Sequence, residues 1–167
     1  MITAGLLKEK FGLVKHPEGG YYTQTYKSVD KISDKCLPGR FSGDRFIATA
    51  IYFLLEAGDF SAFHRIKSDE CWHFYTGHSL IIYQIDQAGE MQTISLGNNL
   101  ERGDVFQFVV PAGCWFASEP ASHSEFSFVG CTVSPGFDFE DFELASAANL
   151  GREYPMHSGI INRLTRQ

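Results

Sequence analysis

Apolar and polar residues follow two different periods along this chain. Near the start, Leu6, Leu7 and Phe11 fall on one side of a 3.6-residue repeat, with Thr3 ahead of them and Gly12 behind. A threonine can cap the first free amides of a helix and a glycine can take the left-handed conformation that ends one, so this segment predicts a short helix. Helical periodicity then nearly disappears. The following stretches are rich in aromatic and β-branched residues and are broken by Gly, Pro, Asp or Ser, the signature of many short strands. The predicted strands run over 21–27, 45–55, 60–66, 71–75, 79–86, 91–96, 105–110, 114–117 and 125–134.

Turn residues separate these runs at Ala57-Gly58-Asp59, Thr76-Gly77-His78, Gln87-Ala88-Gly89, Arg102-Gly103-Asp104 and Pro111-Ala112-Gly113. Such spacing favours an all-β sandwich, jelly roll or barrel over alternating βαβ units. The segment 29–44 reads as a long loop, either a lid or an irregular surface connection. A minor helix is expected around Ser146–Leu150, and Asp138-Phe139-Glu140-Asp141-Phe142-Glu143 reads as a solvated acidic edge with buried phenylalanines.

At 167 residues and 44% apolar content, the chain is expected to form one domain over 1–167 and to fold without a disulfide or metal staple. Its formal net charge of -6 and lack of a Lys/Arg cluster argue against a nucleic-acid partner. No run is apolar enough for a membrane span or signal core, so the expected location is cytoplasmic and no membrane partner is expected. The four cysteines, Cys36, Cys71, Cys114 and Cys131, form no C-x-x-C pair and are expected as free thiols.

The residues with acid–base chemistry concentrate between Phe63 and Tyr75. If His64 ends one strand and Glu70 begins the next, the two converge on one sheet face. His73, three residues past Glu70, should then point to the opposite face. His64 titrates near neutrality and suits a general base, with Glu70 as its partner. Tyr21, Tyr22, Tyr52 and Tyr75 are candidate phenolic acids. Trp72, Trp115 and Phe116 adjoin the same positions, and Arg65 is either an anion contact or an outward-pointing side chain.

The spacing Gly58, His64, Ile66, Glu70, Gly77 resembles the first motif of the cupin superfamily, with isoleucine at its second histidine. Gly103, Pro111, Gly113 and Phe116 resemble the second motif, with Phe116 at its histidine and Pro120 at its asparagine. The blocks His16-Pro17-Glu18-Gly19-Gly20-Tyr21-Tyr22, Ser68 to Tyr75, Val110 to Gly113 and Pro135 to Phe139 further resemble a functionally uncharacterised cupin subfamily. The resemblance implies a double-stranded β-helix, a jelly-roll barrel with a central cavity, commonly paired into homodimers.

Cupins divide into metal-dependent enzymes, metal-free isomerases and epimerases, and binding proteins, and fold alone does not choose among them. With His64 and Glu70 kept but Ile66 and Phe116 at the other two ligand positions, the expectation is no tightly held metal. His73 or Gln107 could replace a lost divalent-metal ligand only if the strand geometry differed. The expected function is therefore binding of a small polar or sugar-like molecule. Its metal-free extension is isomerase or epimerase chemistry with His64 as base, Glu70 as partner and a cavity tyrosine as acid. The contacts expected around the ligand are Arg65, Trp72, His73, Gln107, Phe116, Tyr21 and Tyr52. Gly19-Gly20 has two readings: a turn that sends Glu18 and one tyrosine into the cavity, or a strand packed at a dimer interface.

Overall fold

The computed structural model describes residues 2–166. Helix α1 (Ala4–Phe11) begins where Thr3 Oγ1 accepts the Leu6 amide at 3.2 Å, and it ends at Gly12 with φ 60°. Both caps follow the sequence prediction. Leu7, rather than Leu6, is the helical residue that becomes buried.

Thirteen strands follow among the described residues: β1 (Val14–Lys15), β2 (Tyr21–Lys27), β3 (Lys31–Ile32), β4 (Arg45–Phe46), β5 (Thr49–Glu56), β6 (Ser61–Arg65), β7 (Asp69–Gly77), β8 (Leu80–Ile85), β9 (Met91–Leu96), β10 (Gln107–Val110), β11 (Trp115–Pro120), β12 (Phe126–Ser134) and β13 (Glu143–Leu144). One sheet has the order β1-β2-β5-β12-β7-β10, the other β13-β6-β11-β8-β9, and β3-β4 form a small third ribbon. All of these strand pairs are antiparallel. The expected jelly-roll barrel is therefore present, with few and short helices.

Alternation along β5 shows how the sequence builds two layers at once. Phe53 and Leu55 join Trp72, Leu80, Ile82, Leu96, Phe116 and Val129 between the sheets, whereas Leu54 packs outward against Leu7, Leu13 and Phe128 beneath α1. A second outer layer covers the five-stranded sheet. There α2 (Ala147–Glu153) and α3 (Ser158–Arg163) place Leu150, Ile161 and Leu164 on Phe63, Ile85 and Trp115. None of the described helices is long and apolar enough to cross a membrane.

Four expectations change. The predicted 45–55 strand is broken at Ile47-Ala48, because the chain leaves the β3-β4 ribbon there and enters the main sheet; Ile47 N–H bonds Asp30 O and Ser28 N–H bonds Ala48 O. The 29–44 loop contains β3 and a 3₁₀ turn at Asp34–Cys36. The C-terminal segment holds α3 as well as the predicted helix, whose N-cap is Ser146. The acidic 138–143 stretch is solvated at Glu140 and Glu143 as expected, but Phe139 is exposed rather than buried, and Asp141 is buried in a bidentate pair with Arg45, at 2.7 Å to both Nε and Nη2.

That pair anchors a strap, residues 135–144, across one end of the barrel. Its near end is held by Gly136 N–H to Phe46 O at 2.7 Å and Phe137 N–H to Thr49 Oγ1 at 2.9 Å. Its far end pairs β13 with β6, setting Leu144 opposite His64. Replacing Arg45 by Ala leaves the buried Asp141 carboxylate facing only Lys67, at 3.3 Å. We expect Arg45→Ala to cost about 3 kcal/mol in urea denaturation, the low end for a broken buried ion pair. A loss near zero would mean that the strap is not held by this pair.

Candidate functional site

Beneath the strap the sheets part around a cavity of about 350 Å³. Its walls follow from strand periodicity. Tyr22, Gln24 and Lys27 of β2 face inward beside their register partners Phe53, Ile51 and Thr49 of β5, while Cys131 and Val133 of β12 and Glu70 of β7 continue the surface. His64 and Ile66 come from β6 and the residues just after it, and Phe137, Asp138 and Phe139 of the strap close the rim. The centre of the polar floor is His64, 2% exposed.

The orientation of His64 is set by its own strand. Its Nδ1 lies 2.7 Å from the carbonyl oxygen of Ala62, which can only accept, so the ring proton belongs on Nδ1 and the Nε2 lone pair faces away from the strand, toward Glu18. Nε2 stands 3.3 Å from Glu18 Oε2. The other side of that carboxylate is held by Ser61, whose hydroxyl donates to Glu18 Oε1 at 2.8 Å. His16 joins the same oxygen: its Nδ1 lies 3.3 Å from Glu18 Oε2 and also accepts the Glu18 backbone amide at 3.3 Å. Two imidazoles thus converge on one carboxyl group.

Glycines make this convergence possible. Gly20 adopts φ +73°, and a Cβ there would sit 2.8 Å from Leu54 O. A Cβ on Gly19, at φ +118°, would run into Phe60 O and the Arg166 guanidinium. Asp59 accepts the Gly20 amide at 3.1 Å and Arg166 Nε donates to Glu18 O at 3.0 Å, so the tight turn is clamped from both sides. Glu18 and Tyr22 both reach the cavity, as in the first of the two readings of this block.

Burial governs the electrostatics. It lowers the His64 pKa, against the opposing pull of Glu70 and the Ala62 carbonyl, and it lowers that of His16 against the charge of Glu18. Burial raises Glu18, offset in part by His16 and the Ser61 hydroxyl. For Glu70, burial outweighs the attraction of His64; Glu18 adds repulsion and the pKa rises to about 7. The Cys131 thiol is pushed well above its ordinary range, first by burial and then by the neighbouring Glu70. At neutral pH the floor therefore holds neutral imidazoles beside carboxyl groups that give up protons reluctantly.

Several expected contacts lie elsewhere. His73 faces the outer side of its sheet, with Nε2 3.0 Å from Thr132 Oγ1 and Nδ1 2.8 Å from Gln107 Nε2, because it is offset by an odd number of residues from Glu70. Arg65 lies one residue beyond His64 and so points outward, bonding Glu143 at 2.7 Å and stacking on Trp115. Tyr52 and Tyr75 pack edge to face with each other and tilted against Phe128 on the outer face, and Tyr21 lies beneath Lys8 and Lys15. Trp72 is buried behind the cavity between Phe53 and Phe116. Among the candidate tyrosines, Tyr22 lines the cavity.

The two substituted ligand positions are also in place. Phe116 pairs in register with His64, their rings 4.1 Å apart, and Ile66 lines the wall. The model of the family described as "Cupin superfamily (DUF985)" matches residues 7–145. This chain belongs to the cupin superfamily. It is 30% identical over 141 residues to the uncharacterised protein YML079W of Saccharomyces cerevisiae, covering 77% of this cupin and 68% of that protein. Among solved structures it is similar to protein SO0799 of Shewanella oneidensis, with 41% identity, 99% of each chain covered and a TM-score of 0.89. A hypothetical protein from Leishmania major gives 32% identity and a TM-score of 0.88 over 99% of this chain and all of the other. Oxalate decarboxylase of Bacillus subtilis, at 14% identity and TM-score 0.53 over 90% of this chain and 36% of that one, shares the fold alone.

Some cupins hold a metal with two histidines, a glutamate and a third histidine. This cupin offers apolar Ile66 and Phe116 at two of those positions, and no group of three or more His, Cys, Asp or Glu among its described residues is arranged to hold an ion. The residues do not fit that ligand set.

Glu70 carries a testable consequence. Between the ordinary carboxylate range and pH 7, the unfolded chain ionises this group while the folded chain keeps it protonated, so its contribution falls as pH rises through that window. The stability of Glu70→Gln relative to the parent should therefore grow between pH 5 and pH 8, on the order of 3 kcal/mol, in urea titrations. A difference that stays constant across the window would show that Glu70 ionises normally.

Proposed function

We propose that the cavity binds a small polar carbonyl compound and moves a proton at the carbon beside that carbonyl. One observation carries this reading: a buried imidazole whose Nδ1 proton is committed to a main-chain carbonyl and whose Nε2 lone pair lies on the cavity wall. In the proposed step the substrate C–H bond breaks and its proton passes to His64 Nε2. The electron pair forms an enolate, and the new imidazolium rests against Glu18 Oε2. Glu70, held near pH 7, supplies or receives the second proton from the same wall, and Tyr22 is the phenol within reach of the cavity. A proton returned to a different face or atom gives an epimer or an isomer.

The supporting physics is the matching of groups to neutral pH. A base is useful when free of its proton, and burial keeps His64 free below its ordinary range. An acid is useful when still protonated, and burial keeps Glu70 so up to about 7. The rate is then bell-shaped, and its limbs belong to the coupled Glu18, His64 and Glu70 cluster rather than to single groups.

Deuterium wash-in tests the proposal. Dihydroxyacetone, fructose and 5-oxohexanoate are incubated with the protein in D₂O, and loss of the C–H signal beside the carbonyl is followed by proton NMR. We expect at least one compound to exchange above background, and His64→Gln to slow that exchange by roughly 10²- to 10⁴-fold, the range for a general base. Exchange undiminished in His64→Gln removes this residue from the mechanism. Saturable binding of these compounds with no exchange would make the cavity a binding site only.

A further inference from the structure

One strand irregularity brings a cation to the rim of the cavity. In a regular strand Tyr22, Gln24 and Tyr26 would share a face, and Lys27 would point outward. The register between β2 and β5 instead runs Tyr22 to Phe53, Gln24 to Ile51, Tyr26 to Ala50 and Lys27 to Thr49, so Thr25 is an extra residue without a rung. This bulge turns Tyr26 to solvent, 54% exposed, and brings Lys27 onto the cavity side with Tyr22 and Gln24. Bulges beside functional sites commonly re-aim a side chain in this way.

Lys27 is the single Lys or Arg on the described cavity lining. Its ammonium stands 4.0 Å above the Phe46 ring, and Lys31 stands 4.8 Å from the same ring centre. Among the described residues neither lysine is within ion-pair distance of a carboxylate. The opposite, buried end holds Glu18 and Glu70, whose carboxyl groups resist ionisation and offer an anion no counter-charge, while Asp138 is the one strap carboxylate on the lining near the rim. Between the two ends lie Ile51, Phe53 and Val133, which favour an apolar middle.

We propose that Lys27 is the anion-recognition residue of this cavity and that its ligand is a small organic anion. The carboxylate or phosphate end sits at the rim, a short apolar segment crosses the middle, and the carbonyl or hydroxyl end meets His64. This deepens the proton-transfer reading and rests on it for the orientation of the carbonyl. Size sharpens the class. About 350 Å³ holds roughly a dozen water-sized groups, too few for a nucleotide-linked sugar to be enclosed. Arg65, the anion contact expected from the sequence, is bound to Glu143 on the outer surface.

Isothermal titration at low salt with matched probes tests the proposal. The carboxylate arm compares 5-oxohexanoate with its neutral amide, and the phosphate arm compares hydroxyacetone phosphate with hydroxyacetone. The expected result is at least tenfold tighter binding of the anion than of its neutral partner in one arm, weakening with added salt. Which arm shows it identifies the anionic group. Lys27→Gln should erase that preference and Lys27→Arg should keep it, and because the residue is exposed both variants should fold. Equal binding of anion and neutral partner, no binding of either anion, or a preference that survives in Lys27→Gln would each overturn the proposal. Deuterium exchange into dihydroxyacetone, a neutral compound, separates the two readings. If it persists while anion preference is absent, only the role of Lys27 fails; if preference is present without His64-dependent exchange, only the proton transfer fails.

Discussion

The hydrogen bond between His64 Nδ1 and the Ala62 carbonyl, at 2.7 Å, decides what the cavity can do. A buried histidine has one free nitrogen to offer, and its partner on the other side determines which. Because Ala62 precedes His64 by two residues in the same strand, the strand itself fixes the tautomer. The lone pair then projects beside Glu18, whose position depends on the Gly19-Gly20 turn, clamped by Asp59 and Arg166. Two distant segments meet at one oxygen.

This arrangement has a physical cost that the rest of the fold offsets. Two carboxyl groups and two imidazoles sit out of water, and each shifts toward its neutral form rather than carry an unsolvated charge. The apolar neighbours sharpen that tendency. Phe116 and Phe142 lie on His64, with ring centres 4.1 and 5.3 Å away, and Phe139 stacks on His16 at 6.0 Å. Where a metal-binding cupin would place nitrogen ligands, this chain places hydrocarbon. The same substitution that removes coordination lowers the local polarity around the base.

Much of the fold was legible in the sequence, for identifiable reasons. Strand alternation and the turn residues locate the longer strands of both sheets to within a few residues, and Thr3 and Gly12 mark the ends of the first helix, but the two-residue edge strands β1 and β13 are too short to show a period. The break at Ile47-Ala48 was hidden, because its β-branched and aromatic flanks read as one run while the switch between sheets is a tertiary event. Parity correctly turned His73 away from Glu70. The same parity turns Arg65 away from His64 and decides between its two readings in favour of the outward one, where it bonds Glu143.

The cavity itself was less legible. His64 and Glu70 stand in the expected motif and line it, but His16 carried no signal beyond its place two residues before Glu18. The Gly-Gly pair was the clue that the chain had to fold back closely there. Lys27 was invisible because one extra residue, Thr25, inverts the parity of the strand after it. The acidic 138–143 stretch misled because charge suggests solvent, whereas Asp141 has a guanidinium partner from a segment 96 residues away in sequence.

Everything proposed for the cavity depends on His64 being neutral at neutral pH and presenting Nε2 as a lone pair. Long-range ¹H–¹⁵N correlation spectra of the histidine-labelled protein across pH 5 to 8 test it directly. His64 should show the Nδ1–H tautomer at pH 7, with its protonation displaced below the ordinary histidine range. An Nε2–H tautomer, or an imidazolium persisting through pH 7, would contradict it.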